Sequence, residues 1–261
     1  MPDGIIFERD IVSVRNEVSD AEWEARVSLT AAYRMAHHFG WNDTVRNHIT
    51  MRLPDAPDQF LINPLGLGWH EICASDLIKA DMDGNILSSN DLKPGPAGFS
   101  FHRAVLRLKD SVNATFHLHP MEGVAVSALE DGLMIVDQTA CALYNNVAYH
   151  GFEGLAVEAE EGPAIAEGLG EKFAMIMSNH GLMTVGRTVG EAFVYMERLI
   201  GACKLQTTLM ATGGKIRKLP EDLKRHTWEQ MFARHGNQPM GGLDFKMYMR
   251  LAYKLDPGFA R

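Results

Sequence analysis

Residues 113–129 read Asn-Ala-Thr-Phe-His-Leu-His-Pro-Met-Glu-Gly-Val-Ala-Val-Ser-Ala-Leu, and this stretch decides the fold. Residues 113–119 are mostly apolar or β-branched around two histidines, which is typical of a buried strand. Pro120 ends that strand, and the small and apolar residues from Gly123 onward are typical of a helix. A strand that leads directly into a helix indicates an α/β chain.

The alternation of strands and helices continues on both sides of this stretch. Helical spacing begins at Asp20, after the capping candidate Ser19, and returns at 101–109, 162–170 and 189–210. Strand patterns lie at 49–53, 59–62, 78–81, 173–177 and 182–185. Several of these strands are joined by loops of hairpin length, so the pattern favours a mixed sheet flanked by helices over a purely parallel one.

The composition is that of an ordinary globular protein. Of 261 residues, 46% are hydrophobic and 22% are charged, which excludes disorder over most of the chain. The formal net charge of −8 argues against a nucleic-acid binder. No signal peptide or membrane-spanning stretch is visible, and we expect no membrane partner. The three cysteines are far apart and predict a reducing compartment, so a cytoplasmic location is expected.

The organisation along the chain predicts three parts. Residues 1–20 read as an N-terminal arm, and residues 21–212 read as the folded domain. The segment 213–261 is richer in Lys, Arg and His and carries helical patterns near 221–235 and 244–255. We expect it to be a C-terminal helical extension packed on the domain or on a neighbouring subunit.

His117 and His119 carry the strongest chemical signal. Residues i and i+2 of a strand point to the same face, so the two imidazoles stand side by side at a spacing that suits one divalent metal. The alternative is a pair of core histidines satisfied by hydrogen bonds. His180 is the third candidate, because it lies in a turn at a strand end, where sites of α/β proteins gather. Three neutral imidazoles suit Zn, Fe(II), Mn or Co.

Other histidines carry weaker signals. His150 with its neighbour Tyr149, and separately His48, can reach a pocket from strand ends. His102 lies in a helical segment and is expected either to pack against its neighbours or to support the site residues from behind.

An ordered set of short motifs resembles the class II aldolase/adducin family. These motifs are Asn47-His-Ile-Thr-Met-Arg, Leu61-Ile-Asn-Pro-Leu-Gly, Ala97-Gly-Phe-Ser-Phe-His, His117-Leu-His, Ala148-Tyr-His and Asn179-His-Gly-Leu-Met-Thr-Val-Gly. The resemblance covers roughly residues 24–212. It implies a three-layer α/β/α single domain around a mostly antiparallel mixed sheet. It also implies a homotetramer with active sites between subunits, and one divalent metal, zinc first among Zn, Mn, Fe and Co, held by His117, His119 and His180.

This sequence departs from the sugar-phosphate aldolases of that family at two places. Where they carry Ser-Ser-Glu, with the Glu as acid/base and the hydroxyls on phosphate, this chain reads Pro96-Ala97-Gly98. Their phosphate-binding turn is replaced by Thr44-Val45-Arg46-Asn47. A phosphate site needs clustered N–H groups and hydroxyls, so we expect an unphosphorylated substrate, bound by Asn47 and with Arg46 on a carboxylate. The version Ala97-Gly98-Phe99 resembles the adducin head and a group of bacterial proteins.

The missing acid/base leaves three candidates for proton transfer. Glu122 follows His119 in the first turn of a helix and is a candidate base or fourth ligand; alternatively it only favours the helix dipole. Tyr149 and His150 are the other two candidates.

Three hypotheses follow for the function. The first is a metal-dependent lyase for aldol-type cleavage or decarboxylation of a small unphosphorylated oxo- or hydroxy-acid, aromatic acids included. The second is a non-haem iron oxygenase on the same three histidines. The third is a non-catalytic, adducin-like binding module, because a fold alone does not imply catalysis.

Overall fold

The computed structural model describes residues 11–154 and 161–261. Residues 1–10 of the predicted N-terminal arm therefore lie outside the described residues. The rest of the arm reaches the first helix, and Val14 is buried with its backbone N–H donating to Ser75 Oγ at 3.3 Å.

One mixed sheet forms the middle layer of the molecule. Its order is β3-β2-β1-β4-β7-β6-β5, and every neighbouring pair is antiparallel except β5 with β6. The strands are β1 His48–Arg52, β2 Gln59–Ile62, β3 Ile78–Asp81, β4 Ala114–Leu118, β5 Val147–His150, β6 Ala174–Met177 and β7 Gly181–Gly186. The mostly antiparallel sheet predicted from the sequence is confirmed.

Helices cover both faces of the sheet. They are α1 Asp20–His38, α2 Pro96–Leu108, α3 Met121–Ser127, α4 Glu161–Leu169, α5 Val189–Ala211, α6 Glu221–Ala233 and α7 Gly242–Leu255. Residues from α1, α3, α5 and α7 share one core cluster with the strand residues of the first face. Residues from α2 and α4 form the second cluster on the opposite face.

Strand alternation divides the side chains of β4 between these two cores. Phe116 and Leu118 belong to the α1/α5 core, while His117 points toward the face covered by α2. A pair of apolar residues thus fixes the strand register, and the register fixes where the histidine points. Because apolar cores cover both faces of the sheet, the site lies at the ends of the strands.

Helix α2 begins earlier than its sequence pattern predicted. Apolar spacing indicated a helix over 101–109, whereas the helix runs from Pro96, with proline in its first turn. Proline is well tolerated at that position because its missing N–H has no partner in a helix anyway. As a result Gly98 lies in the first turn of α2, next to the ends of β1 and β4.

The Arg187–Glu191 ion pair helps to hold the segment after residue 212 against the domain, beside the packing of α7 in the core. Glu191, buried in the first turn of α5, accepts hydrogen bonds from the Arg187 side chain and from the backbone of Met240. Arg187 in turn donates to the carbonyls of Asn237 and Gln238. Among the described residues, no helix is long and apolar enough to cross a bilayer.

We predict that Glu191→Gln destabilises the fold in a pH-dependent way. Burial opposes ionisation of Glu191, but hydrogen bonds from Arg187 and Met240 hold its pKa below the ordinary value of 4.5. A carboxyl whose pKa falls on folding adds stability above its unfolded pKa and loses it as the pH drops through the folded pKa. The variant should lose about 2 kcal/mol of unfolding free energy at pH 7.

Urea unfolding at a series of pH values measures this difference. The gap between the wild type and the variant should shrink below pH 4.5. The exposed Glu229 of α6 offers the matched control, because Glu229→Gln should leave the free energy unchanged. A gap that stays constant down to pH 3 would contradict the stabilising role of the ionised pair.

Candidate metal centre

Three histidines converge where β4 ends and β7 begins. His117 is on β4, His119 follows that strand, and His180 lies in the turn between β6 and β7. One ring nitrogen from each lies within 4.8 Å of the other two. The pairing of His117 with Met183 aligns β4 with β7, and this register brings the three rings together.

The turn that carries His180 is shaped for this approach. Asn179 has a φ of 55°, a left-handed conformation that asparagine tolerates better than most residues. A Cβ on Gly181 would lie 2.6 Å from Cδ2 of His119 and 2.7 Å from the carbonyl oxygen of Leu118. Glycine at 181 therefore leaves the space that the His119 ring occupies.

Hydrogen bonds orient the rings for metal binding. Nδ1 of His117 lies 3.2 Å from the carbonyl oxygen of Leu182, which can only accept, so Nδ1 carries the hydrogen. Nε2 of His117 then presents a lone pair, 2.9 Å from Nε2 of His119. On the outer side, Nδ1 of His119 lies 3.8 Å from Asp43 Oδ2. A hydrogen bond such as that from His117 to Leu182 fixes the tautomer and the orientation of a metal-binding imidazole, whereas Asp43 acts on His119 through its charge.

Burial keeps the three rings uncharged. It holds the pKa of His117 well below the ordinary value, with the neighbouring histidines adding to the effect. Burial also lowers the pKa of His119, although Asp43 opposes this, and it lowers the pKa of His180 to about 4 together with His119 and His150. Neutral imidazoles are the form that binds a divalent cation. The donor set fits such a metal.

A small cavity of about 230 Å³ lies beside the cluster. Asn47 and Arg46, predicted to bind substrate, both line it, together with His48 and residues 95–98. Asn47 is buried, and its Oδ1 accepts a hydrogen bond from the backbone N–H of Asp43. Its Nδ2 has no partner among the residues that the structure describes. An amide donor in this position is available to a ligand.

The cavity wall differs from a phosphate cradle. None of the described residues that line it carries a hydroxyl group, and its far side consists of Pro96, Ala97 and Gly98 at the start of α2. Arg46 is exposed, lies 3.7 Å from Asp43, and is the cationic side chain among the described residues that line the cavity. The cavity therefore offers an amide, an imidazole and an arginine to a bound molecule.

Two further histidines stand against the cluster. The His48 ring stacks on that of His117, with centroids 5.0 Å apart, and its Nδ1 lies 2.7 Å from Nε2 of His102. Nδ1 of His102 lies 2.7 Å from Thr50 Oγ1. Burial, with His119 and His180, lowers the pKa of His48 to about 3. The sequence placed His102 among packing residues, and only the i, i+2 spacing of His48 and Thr50 hinted at this chain.

The structure separates the three proton-transfer candidates. His150 ends β5 on the face toward α2, and its charge would lower the pKa of His180. Its Nε2 is buried without a partner in the described residues. Tyr149 points to the other face, where its hydroxyl oxygen accepts from the backbone of Leu133 at 3.0 Å. Glu122 lies near Cys203 of α5. Burial, together with this carboxylate, raises the pKa of the Cys203 thiol to about 12.

Comparisons with known proteins match this fold. The family domain described as "Class II Aldolase and Adducin N-terminal domain" matches residues 27–207. The crystal structure of an aldolase II superfamily protein from Pseudomonas syringae has a TM-score of 0.88 at 36% identity, covering 96% of this chain and 100% of that chain. An L-fuculose 1-phosphate aldolase from Glaciozyma antarctica PI12 has a TM-score of 0.80 at 28% identity, and the match covers 97% of this chain and 96% of that chain. Alpha-adducin of Mus musculus is 40% identical over 192 residues, which are 72% of this chain and 26% of that longer protein.

We predict about one metal ion per chain in protein purified anaerobically without added metal. Mass spectrometry of the metal content measures it. His117→Ala should lose the metal, because it removes one of three ligands and the best-buried ring of the cluster. His226→Ala, which changes an exposed histidine of α6, serves as the control and should keep the metal. Wild-type protein that holds no metal and takes none up on soaking would contradict the prediction.

Proposed function

The chain belongs to the class II aldolase and adducin family, and we propose that it is a metal-dependent lyase of small, unphosphorylated oxo- or hydroxy-acids. The reaction is aldol-type carbon–carbon cleavage or decarboxylation, and aromatic acids are among the candidate substrates. The convergence of His117, His119 and His180 beside a cavity lined by Asn47, whose Nδ2 has no partner among the described residues, carries the proposal.

The three histidines would hold one divalent metal, zinc in the first place, with Mn, Fe and Co as alternatives. When bound, such a metal supplies Lewis-acid stabilisation of the negative charge that develops on a carbonyl or carboxylate oxygen. The protein keeps these imidazoles neutral through burial, so they carry no positive charge that would repel a cation and their lone pairs are free to bind it.

Substrate recognition would fall to the cavity next to the cluster. Nδ2 of Asn47 donates to a substrate oxygen, and Arg46 at the opening attracts a carboxylate. The lining of the cavity lacks hydroxyl groups among the described residues, and this supports a carboxylate in preference to a phosphate ester. The L-fuculose 1-phosphate aldolase is therefore a guide to the fold and not to the substrate.

His150 is the proton-transfer candidate that the geometry favours. It shares the strand end of His180, since β5 runs parallel to β6 and His150 pairs with Met177. Its Nε2, which has no partner among residues 11–154 and 161–261, is available to a substrate that occupies the site. Glu122 and Tyr149 remain candidates from the sequence, with Tyr149 on the opposite face of the sheet.

A second function has its own support. The 40% identity to alpha-adducin, whose name is not that of an enzyme, fits the non-catalytic binding module but supports it no better than the lyase. A non-haem iron oxygenase would use the same three histidines. The homotetramer and the cytoplasmic location stay predictions from the resemblance and the composition.

Turnover assays distinguish these functions. Protein loaded in turn with Zn, Mn, Co and Fe(II) would be given a panel of unphosphorylated 2-oxo- and hydroxy-acids, with and without oxygen. We expect aldehyde, oxo-acid or carbon dioxide to be released without oxygen consumption. Oxygen-dependent turnover with Fe(II) alone would replace the lyase with the oxygenase. If no compound is turned over, whether or not the protein takes up metal, the result would favour the binding module.

We predict that Asn47→Asp raises KM for the acid substrate about 10- to 100-fold. This variant keeps the oxygen that accepts from Asp43 and replaces the Nδ2 donor by a second oxygen, so a hydrogen bond to a charged ligand is lost. Steady-state kinetics and metal content are measured together, because the metal content should not change. Asn42→Asp, in the same loop but outside the cavity lining, is the control. An unchanged KM would remove Asn47 from the substrate site.

A further inference from the structure

Gly98 and His48 compete for one space. A Cβ built on Gly98 would lie 2.2 Å from Cδ2, 2.5 Å from Cγ and 2.6 Å from Nε2 of His48. Contacts shorter than 3.0 Å do not occur in proteins unless an atom moves. No side chain can therefore be present at position 98 while the His48 ring keeps its place.

The His48 ring is held from several sides. Its Nδ1 lies 2.7 Å from Nε2 of His102, and its face stacks on His117. The edge of Phe101 meets the ring with centroids 6.0 Å apart. His102 is fully buried and anchored by Thr50 Oγ1 at 2.7 Å. A ring fixed in this way meets a ligand without a further loss of rotamer freedom.

The second ring nitrogen of His48 has no partner among the described residues, and the ring borders the cavity. Nε2 of His48 makes no hydrogen bond within the described part of the chain, whereas Nδ1 is engaged with His102. His48 lines the same cavity as Asn47 and Gly98, next to the three-histidine cluster. A polar atom at this place is within reach of a molecule that binds the cluster and the Asn47 amide together.

We propose that His48 contacts the substrate through Nε2, in the space that the absent side chain at position 98 leaves, and that His102 and Thr50 position its ring. This inference rests on the proposed function, since the ligand is the same oxo- or hydroxy-acid. It also names a determinant of specificity: an imidazole beside the cluster can form a hydrogen bond with the substrate, whereas an acidic side chain in the same space would repel its carboxylate.

Calorimetric binding of pyruvate and oxalate to the zinc-loaded protein tests the contact. Wild-type protein should bind at least one of the two probes. His48→Ala should weaken that binding about tenfold, with the zinc content and the thermal midpoint measured on the same sample. His48→Gln, whose amide extends toward the position of Nε2, should restore part of the affinity.

Substitutions at position 98 test the shared space without removing the imidazole. Gly98→Ala should weaken probe binding in the wild-type background, because the new Cβ displaces the ring. In the His48→Ala background the same change should have no effect on affinity, since the space is then empty. Additive effects of the two changes would overturn the competition between the two residues.

The positioning role of Thr50 has a separate readout. Thr50→Val keeps the shape and removes the hydroxyl bonded to His102, and it should reduce probe affinity about threefold. Thr50→Ser should bind the probes like the wild type. A purely structural role would instead lower the thermal midpoint in Thr50→Val with the affinity unchanged, and that result would overturn the positioning role.

The outcomes separate the two proposals. If the zinc-loaded wild type binds neither probe, both the acid substrate and the His48 contact are overturned. If the wild type binds a probe and His48→Ala binds it equally well with zinc in place, the proposed function stands and the role of His48 is overturned.

Discussion

The antiparallel pairing of β4 with β7 is the constraint on which the site depends. It aligns His117 with Met183, and it places the β6–β7 turn directly over the end of β4. Phe116 and Leu118, on the other side of β4, are locked into the core under α5 and prevent a slip of one residue. The hydrophobic packing of one face of the sheet therefore determines the direction of the histidines on the other face.

The electrostatic character of the site follows from the same placement. Five imidazoles, those of His48, His102, His117, His119 and His180, are gathered with Asp43 as the carboxylate that touches them among the described residues. Burial disfavours the charged form of each ring, and neighbouring rings add to that penalty except at His119, where Asp43 opposes it. The site thus presents lone pairs and neutral donors. A cation or an anionic ligand brings most of the charge with it.

The sequence was sufficient for what depends on local periodicity. Strand alternation predicted that His117 and His119 share a side, and glycine and asparagine around His180 predicted a turn at a strand end. Both features follow from short-range geometry. The helical start at Pro96 was missed, because Pro96 and Gly98 interrupt the apolar spacing from which a helix is inferred. The His48–His102–Thr50 chain was also missed. His102 is 54 positions from His48 and 52 positions from Thr50 in the sequence, and tertiary packing alone brings them together.

The shared space of Gly98 and His48 also sets the order in which this site can change. A side chain at position 98 has no room until the residue at position 48 becomes smaller. A lineage that replaced Gly98 before His48 would therefore pass through a steric clash beside the cluster. A lineage that exchanged the imidazole for an acidic group at 98 would first pass through a protein with neither. The two positions are expected to evolve as a coupled pair, with the intermediate surviving only where the lost contact carries little selective cost.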